Sequence, residues 1–332
     1  MHESLGNVTL RDGEVVDCSV ITAPDAEWRD RLTTLLGHKG EPWNWQNARV
    51  LDTDVGIEAA FYVLHRDGQP FANILTATLA GVGHFGHVWT RPADRRKGAA
   101  SLLMKKQMQR FRERDGQALF LCTGYDSPAY HIYRREGFES IEPGSGMMAW
   151  YARGERDFLD RYFASGPTTV VDVNWRHWPA AAALMIGTFP GVVRCAPLGM
   201  IGRMSTEDHL LPAVRRGDVG TPTAAALQLD ATSAVVGLAA WGMHPIWPRT
   251  TVVDVYCHPD HWRDAPAILD RLTLPTDVDR CIAYCDERKH HAIKWHVLHG
   301  AGFHPVATLP GWAQGIDVDG MVDVDVMVRA TA

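Results

Sequence analysis

The segment Arg95-Arg96-Lys97-Gly98-Ala99-Ala100 sets three cationic side chains beside three small residues. Apolar side chains then recur at Ala100, Leu103, Met104, Met108 and Phe111, spacings of three and four that predict a helix beginning near Gly98. Just upstream, Gly86-His87-Val88-Trp89-Thr90, closed by Pro92, reads as a strand. Such a loop brings cations and unencumbered backbone N–H groups to a helix N-terminus, where first-turn donors are unpaired and the peptide dipoles leave partial positive charge. That chemistry suits a phosphate or pyrophosphate, and Gly98, Ala99 and Ala100 let the anion approach the backbone.

A second pattern follows at Asp126-Ser127-Pro128-Ala129-Tyr130-His131-Ile132-Tyr133-Arg134-Arg135-Glu136-Gly137-Phe138. It predicts a short helix over 127–136 after an apolar strand, Ala118–Cys122. Gly137 can end that helix in a left-handed conformation, and Phe138 then anchors the next strand. Together the two patterns resemble the GNAT superfamily of acyl-CoA-dependent N-acyltransferases. The first family motif, apolar-x-Pro-x-x-Arg-x-x-Gly-x-Gly/Ala, falls on Thr90, Pro92, Arg95, Gly98 and Ala100. The second falls on Asp126, Ala129, Ile132, Tyr133, Gly137 and Phe138. Thr90 stands where Val is usual, and Asp126 where an Asn contacts the pantetheine arm. The resemblance covers roughly residues 15–152.

The resemblance implies acetyl-CoA as co-substrate, held by Val88, Trp89, Thr90, Arg95, Arg96, Lys97, Gly98, Ala99, Ala100, Asp126, Ala129 and Tyr133, with no metal. Acyl transfer to an amine needs the amine to lose a proton, the oxyanion to be stabilised and the departing thiolate to be protonated. By the same resemblance, backbone amides of Val88-Trp89-Thr90 are the oxyanion donors and Tyr133 is the general acid. His87 stands where the family often places a carboxylate base, and an imidazole can accept a proton at neutral pH; ordered water is the alternative base. Glu41, Trp43 and Trp45 lie in the segment that lines the acceptor site. The expected function is N-acetyl transfer from acetyl-CoA to a primary amine, on a small molecule or a peptide. The alternatives are another acyl-CoA chemistry, or an acyl-CoA-binding sensor without transferase activity.

Composition bounds these readings. The chain has 332 residues, 46% hydrophobic and 22% charged, with a formal net charge of −6. That length suits two domains, and the charge gives no reason to expect nucleic acid or an anionic membrane as partner. No apolar run approaches a membrane span, and Met1–Leu10 lacks the pattern of a signal peptide. Six scattered cysteines without a Cys-x-x-Cys pair read as reduced thiols and a cytoplasmic location. His290, His291, His296 and His299 share a predicted helix but lack zinc-site spacing to a carboxylate or Cys, so they read as a solvated face.

The elements that must position these residues read as an α/β unit. Strands are expected at Val15–Ile21, Glu58–Arg66 and Pro70–Ala80, the latter two joined by the Asp67-Gly68 turn signal. A helix is expected at Asp25–Leu36, a Trp-rich loop at Glu41–Trp45, and strands near 138–142 and 146–152. The second half repeats the pattern: Val255-Tyr256-Cys257-His258-Pro259 matches Val88–Pro92, and His299–Phe303 matches Arg134–Phe138, at offsets of 167 and 165. Trp175–Ile186 would be its first helix, and Thr221–Leu229 with Ser233–Met243 its hairpin. The fold class expected is α/β (α+β), two tandem GNAT-like domains at 1–153 and 154–332. Each would have a mixed, mostly antiparallel central sheet flanked by helices. A linking helix is expected around Arg156–Phe163. In the second copy Trp262 replaces Arg95, Leu298 replaces Tyr133, Pro266 removes a backbone donor and Asp264 would repel phosphate. That half is expected to bind no acyl-CoA and to have a structural or acceptor-site role.

Overall fold

β-branched and aromatic runs with short Gly-containing turns favour sheets, and long apolar stripes at helical spacing favour helices packed on them. The computed structural model describes residues 1–316 and 318–330. The chain divides into two units, Met1–Arg161 and Tyr162–Ala332. The first contains β1 (His2–Thr9), β2 (Val15–Thr22), α1 (Ala26–Leu36), α2 (Trp43–Asp52), β3 (Glu58–Arg66), β4 (Gln69–Leu79), β5 (Val82–Thr90), α3 (Ala99–Glu113), β6 (Ala118–Cys122), α4 (Pro128–Arg135), β7 (Glu139–Ser140), β8 (Met147–Tyr151) and α5 (Glu155–Tyr162). Its sheet runs β1-β2-β3-β4-β5-β6-β8-β7. Every neighbouring pair is antiparallel except β5 and β6.

The core of this unit lies between the sheet and α3. Leu103, Met104, Met108 and Phe111 of α3, the stripe read from sequence, meet Tyr62, Leu64, Phe71, Ile74 and Phe85 of the sheet. Burying each such side chain contributes about 1.5–3 kcal/mol. Asp67 and Gly68 both take positive φ, 49° and 76°, as a two-residue hairpin turn requires.

The second unit contains β9 (Thr168–Asp172), α6 (His177–Ala180), α7 (Ala182–Ile186), β10 (Val193–Cys195), β11 (Met200–Ile201), α8 (Thr206–His209), α9 (Leu211–Asp218), β12 (Ala224–Leu229), β13 (Val235–Met243), β14 (Thr250–Cys257), α10 (Ala265–Asp270), β15 (Arg280–Asp286), α11 (Ala292–Gly300), β16 (His304–Gln314) and β17 (Met321–Ala330). Its large sheet runs β9-β12-β13-β14-β15-β17-β16, the order of β2 through β7 repeated, again with one parallel pair, β14 and β15. Each unit is therefore a mixed, mostly antiparallel sheet flanked by helices, as the sequence indicated.

Four local expectations are corrected. The first strand of the sheet is β1: its sparse apolar residues, Leu5 and Val8, hide a strand that pairs through its backbone with β2. The Trp-rich segment is helix rather than loop from Trp43 onward. Trp175–Ile186 is two short helices that meet at Ala181, a turn residue at φ −76° and ψ −13°. His290 and His291 precede α11 instead of lying on it. Phe158 of α5 packs edge-on against Phe120 of β6, so this helix belongs with the first unit and the division falls after Arg161.

Candidate functional site

β5 carries the residues singled out by sequence, and two irregularities shape it. Its parallel ladder with β6 runs only from Val82↔Ala118 to His84↔Phe120. Beyond His84 the two strands diverge, so the β6-facing backbone edge of residues 85–90 is left without a ladder partner. On the other side, the register with β4 slips by one residue between Leu75↔Gly86 and Asn73↔Trp89. The slip is a β-bulge centred on His87, which takes φ +51° and whose carbonyl accepts from Asn73 Nδ2 at 3.1 Å. A bulge bends its strand and re-aims the residues after it. Val88, Trp89 and Thr90 emerge half-exposed.

His87 itself is buried, and burial, helped by the nearby Lys39 ammonium, pushes its pKa down to about 3. It is therefore neutral at physiological pH and a weak proton acceptor there. Tyr133 lies on α4, whose N-terminus is capped by Ser127 Oγ accepting from Tyr130 N at 3.2 Å. The Tyr133 ring meets Phe85 of β5 edge-on at 5.3 Å. α4 is thus seated on the strand next to the divergence. Gly137 ends the helix turn with φ +94°, and Phe138 packs back on Phe85 at 5.5 Å. Ala129 lies on the same helix, packed against the core. Asp126 precedes it at φ +57°, exposed and paired with His131 at 3.0 Å.

The basic loop follows β5. Gly98 takes φ +88° and opens α3 with no side-chain cap, so the first-turn N–H groups of Ala99 and Ala100 remain for a ligand or solvent. The three cations differ. Lys97 is tied to Asp12 at 2.8 Å and Glu14 at 3.6 Å, and its pKa is raised by the Asp12 hydrogen bond. Arg95 donates from Nε to the Thr90 carbonyl at 3.1 Å and lies over Trp89 at 4.6 Å. Arg96, at φ +67°, is exposed and has no ion-pair partner among the described residues. Trp89 also stacks on His38 at 3.7 Å. The phosphate-binding chemistry read from sequence therefore fits: an uncapped helix start, a left-handed glycine and two arginines not neutralised by carboxylates.

Sequence reasoning missed one participant here. The β1–β2 turn packs on the loop: Arg11 N donates to Lys97 O at 3.0 Å, and Arg11 Cγ lies 3.3 Å from where a Gly98 Cβ would sit. With β1 unread, nothing placed Arg11 near Gly98.

The expected acceptor residues sit elsewhere in the unit. Glu41 precedes α2, while Trp43 and Trp45 lie on it. Trp45 lines a cavity of about 660 Å³ between α1 and α2. The inner face of α2 also buries Gln46 and Asn47, which sequence reasoning passed over. The spacing of Trp43, Val50 and Leu51 was a helical signal, but the polar residues between them masked it.

The corresponding divergence in the second unit is filled. β14 and β15 pair only from Thr250↔Arg280 to Val252↔Ile282, yet β14 has no bulge against β13. That missing residue accounts for the offset of 168 between Val82 and its counterpart Thr250, against 167 between Val88 and Val255. The segment around β10 crosses between the parted strands. Ala196 N donates to Asp254 of β14 at 2.8 Å, and Val192 N and Val193 N donate to Asp286 of β15 at 2.7 and 2.9 Å. Lys294 of α11 reaches Asp254 at 2.7 Å and the Val193 carbonyl at 2.6 Å, with both ionic side chains fully buried. Burial alone would lower the Lys294 pKa, but Asp254 holds it up. Arg194, also buried, donates to the carbonyls of Met185, Gly187 and Phe189 at 2.7, 2.8 and 3.0 Å. Asp254 stands where the first unit has His87. Lys294 stands four residues before Leu298, as Ala129 stands four before Tyr133.

What the first unit defines is an α/β domain whose diverging strand edge leads into an uncapped, cation-flanked helix start. Residues 73–141, from the asparagine opposite the bulge to just past β7, match the family model of the acetyltransferase (GNAT) domain. The matched segment gives the first unit a GNAT-type fold, and acyl transfer from acetyl-CoA is the activity of that family. Among solved structures, the chain is similar to a GNAT-family acetyltransferase from Bacillus anthracis (13% identity, 49% of this chain and 94% of that one, TM-score 0.34). It is similar to a Salmonella typhimurium protein solved with its cofactor acetyl-CoA (19%, 49% and 93%, 0.36). A third is the ribosomal-protein-S5-alanine acetyltransferase from Vibrio fischeri (11%, 49% and 92%, 0.37). No curated protein sequence matches the chain. Among the described residues, no helix is long and apolar enough to cross a membrane.

Proposed function

We propose that the chain is an N-acetyltransferase that moves an acetyl group from acetyl-CoA to a primary amine on a small molecule or peptide in the cytoplasm. The observation that carries this reading is the continuity of the unpaired β5 edge with the Arg95–Ala100 loop. An extended, amide-bearing pantetheine arm can hydrogen-bond to such an edge as an added strand would, while its pyrophosphate meets the α3 N-terminus, Arg95 and Arg96. Asp126 and Ala129 border the arm from the α4 side. Lys97, already paired, supports the loop.

In this reading an amide among Val88, Trp89 and Thr90 stabilises the oxyanion. The acceptor nitrogen attacks the thioester carbon, the C–N bond forms and the C–S bond breaks. Tyr133 gives its proton to the departing thiolate, and the amine proton leaves to water. The low pKa of His87 speaks against it as the base; its part in the bulge is through its carbonyl, which Asn73 holds. Glu41, Trp43 and Trp45 are assigned to acceptor binding. The second unit carries no coenzyme site, because its own β10 segment occupies the equivalent divergence, and its role is structural.

Calorimetry with acetyl-CoA and a thiol-release assay over a panel of amines test the reading. One coenzyme bound per chain, with thiol release that depends on an amine, is expected. Absence of binding, or two equivalent sites, would overturn it.

A further inference from the structure

Equivalent positions on β4 and β13 carry an amide in one unit and a hydrocarbon in the other. Asn73 of β4 pairs with Trp89 of β5. Leu238 of β13 pairs with Tyr256 of β14. Tyr256 is the counterpart of Trp89, at the offset of 167 that also relates Val255 to Val88. Asn73 and Leu238 are both fully buried. The first pair adjoins a bulge, and the second lies in a regular ladder.

The bulge needs what Asn73 supplies. An extra residue between the Leu75↔Gly86 and Asn73↔Trp89 pairs takes a carbonyl out of the ladder, and His87, which bears it, is only 3% exposed. A buried carbonyl must find a donor, and Asn73 Nδ2 donates to it at 3.1 Å. His87 also takes φ +51°, a costly conformation for a residue with a Cβ. Beyond it the ladder resumes at once: Ala72 pairs with Thr90, and Arg91 N donates to Phe71 O at 2.8 Å. Asn73 makes its bond at the expense of its own oxygen, since Oδ1 is buried without a hydrogen-bond partner among the described residues. A leucine there, as in the second unit, would bury no unpaired oxygen. What the amide gives in return is the bend in β5.

We propose that Asn73 is a positioning residue: its bond to the His87 carbonyl fixes the bulge that aims the Val88, Trp89 and Thr90 amides at the thioester. The role of those amides rests on the acetyl-transfer reading, but the coupling of Asn73 to the bulge is measurable without any ligand.

The experiment uses the full chain with Asn73→Leu, with His87 deleted, and with both changes together. Asn73→Leu leaves the bulge carbonyl without its donor, and the deletion leaves the amide without its acceptor. The double variant has the register and the side chain of the second unit, so it should show a higher Tm than either single variant. Activity should not follow stability. Thiol release with the best amine of the panel should fall roughly 10²-fold in kcat in all three, the low end of the loss when an oxyanion donor is removed. ADP carries the pyrophosphate without the pantetheine arm, and its affinity by calorimetry should not change. Unchanged kcat in Asn73→Leu, or recovery of kcat in the double variant, would overturn the proposal. So would a double variant no more stable than the single ones, or one that fails to fold, since Asn73 would then hold the sheet and not the bulge. Loss of ADP affinity alongside kcat would also overturn it, by showing that the whole loop has shifted. Absence of acetyl-CoA binding in the unsubstituted protein would instead defeat the acetyl-transfer reading and with it the catalytic half of the proposal, while the Tm comparison would still test the bond.

Discussion

The divergence of β5 from β6 and that of β14 from β15 begin at the same place in the same sheet order, three ladder pairs from the strand start. In the first, a bulge at His87 bends the strand, the small Ala129 lies on the following helix α4, and a basic loop opens a 15-residue helix. In the second, the strand is unbulged, Asp254 and Lys294 replace His87 and Ala129, and the following helix α10 has six residues with Pro266 in its first turn. The exposed edge there is covered by β10, tied at both sides by carboxylates. A parted pair of strands leaves backbone groups that need partners. One unit leaves them without a ladder partner, and the other supplies partners from its own chain. The difference teaches that the same parting of strands can be left open or closed from within, and that closing it takes groups that satisfy the backbone it exposes.

The largest expected effect breaks the filled side. Lys294→Met leaves the Asp254 carboxylate buried without its counter-ion, and removing one partner of such a pair costs about 3–5 kcal/mol. Urea titration of the full chain reads this. The double variant with Asp254→Asn should recover much of the loss, and a cost below about 1 kcal/mol for Lys294→Met would show that the plug is not held by this pair.

On the ligand-facing side, Tyr133→Phe should keep acetyl-CoA affinity and lower turnover by roughly 10²-fold. Leu298→Tyr, its mirror in the second unit, should add no second site by calorimetry. Unchanged turnover in the first variant would leave thiolate protonation to solvent.

A smaller effect sharpens the loop comparison. Arg96→Ala should weaken acetyl-CoA binding by about 1–3 kcal/mol, the range of a charge-assisted hydrogen bond. Arg11→Ala should weaken it less, and Arg263→Ala in the second unit should not change it. Equal losses at Arg96 and Arg263 would mean that both units bind coenzyme.

The smallest effect separates the units by pH. Burial pushes His177, His258 and His291 of the second unit down to about 4 each. In the first unit it pushes His87 to about 3 and lowers His65. A histidine whose folded pKa is depressed gives stability that is complete above the unfolded value of about 6.5 and is lost as pH falls toward the folded one. Each contributes a slope on the order of 1 kcal/mol per pH unit in that window. Hydrogen exchange at pH 7 and pH 5, corrected for intrinsic rates, should show β14 losing more protection than β5. Equal losses would contradict this.

What the sequence determined by itself was local and periodic. The α3 stripe, the β3–β4 turn, the Gly137 stop and the basic loop were all legible, because side-chain spacing and glycine freedom act over a few residues. The repeat was legible for the same reason: two short motifs recur at nearly one offset. Those offsets, 167 and 165, say nothing of a bulge; the step from 168 at Thr250 to 167 at Val255 is read only from the strand registers. β1 and α2 were missed because their signals are weak. β1 carries few apolar residues and is held by backbone pairing, and α2 turns Gln46 and Asn47 inward. The tertiary structure alone decided that Lys97 is spent on Asp12, that Arg11 covers Gly98, and that β10 closes the second divergence. Each of these joins residues far apart in the chain, and each depends on which charged or backbone groups burial leaves in need of a partner.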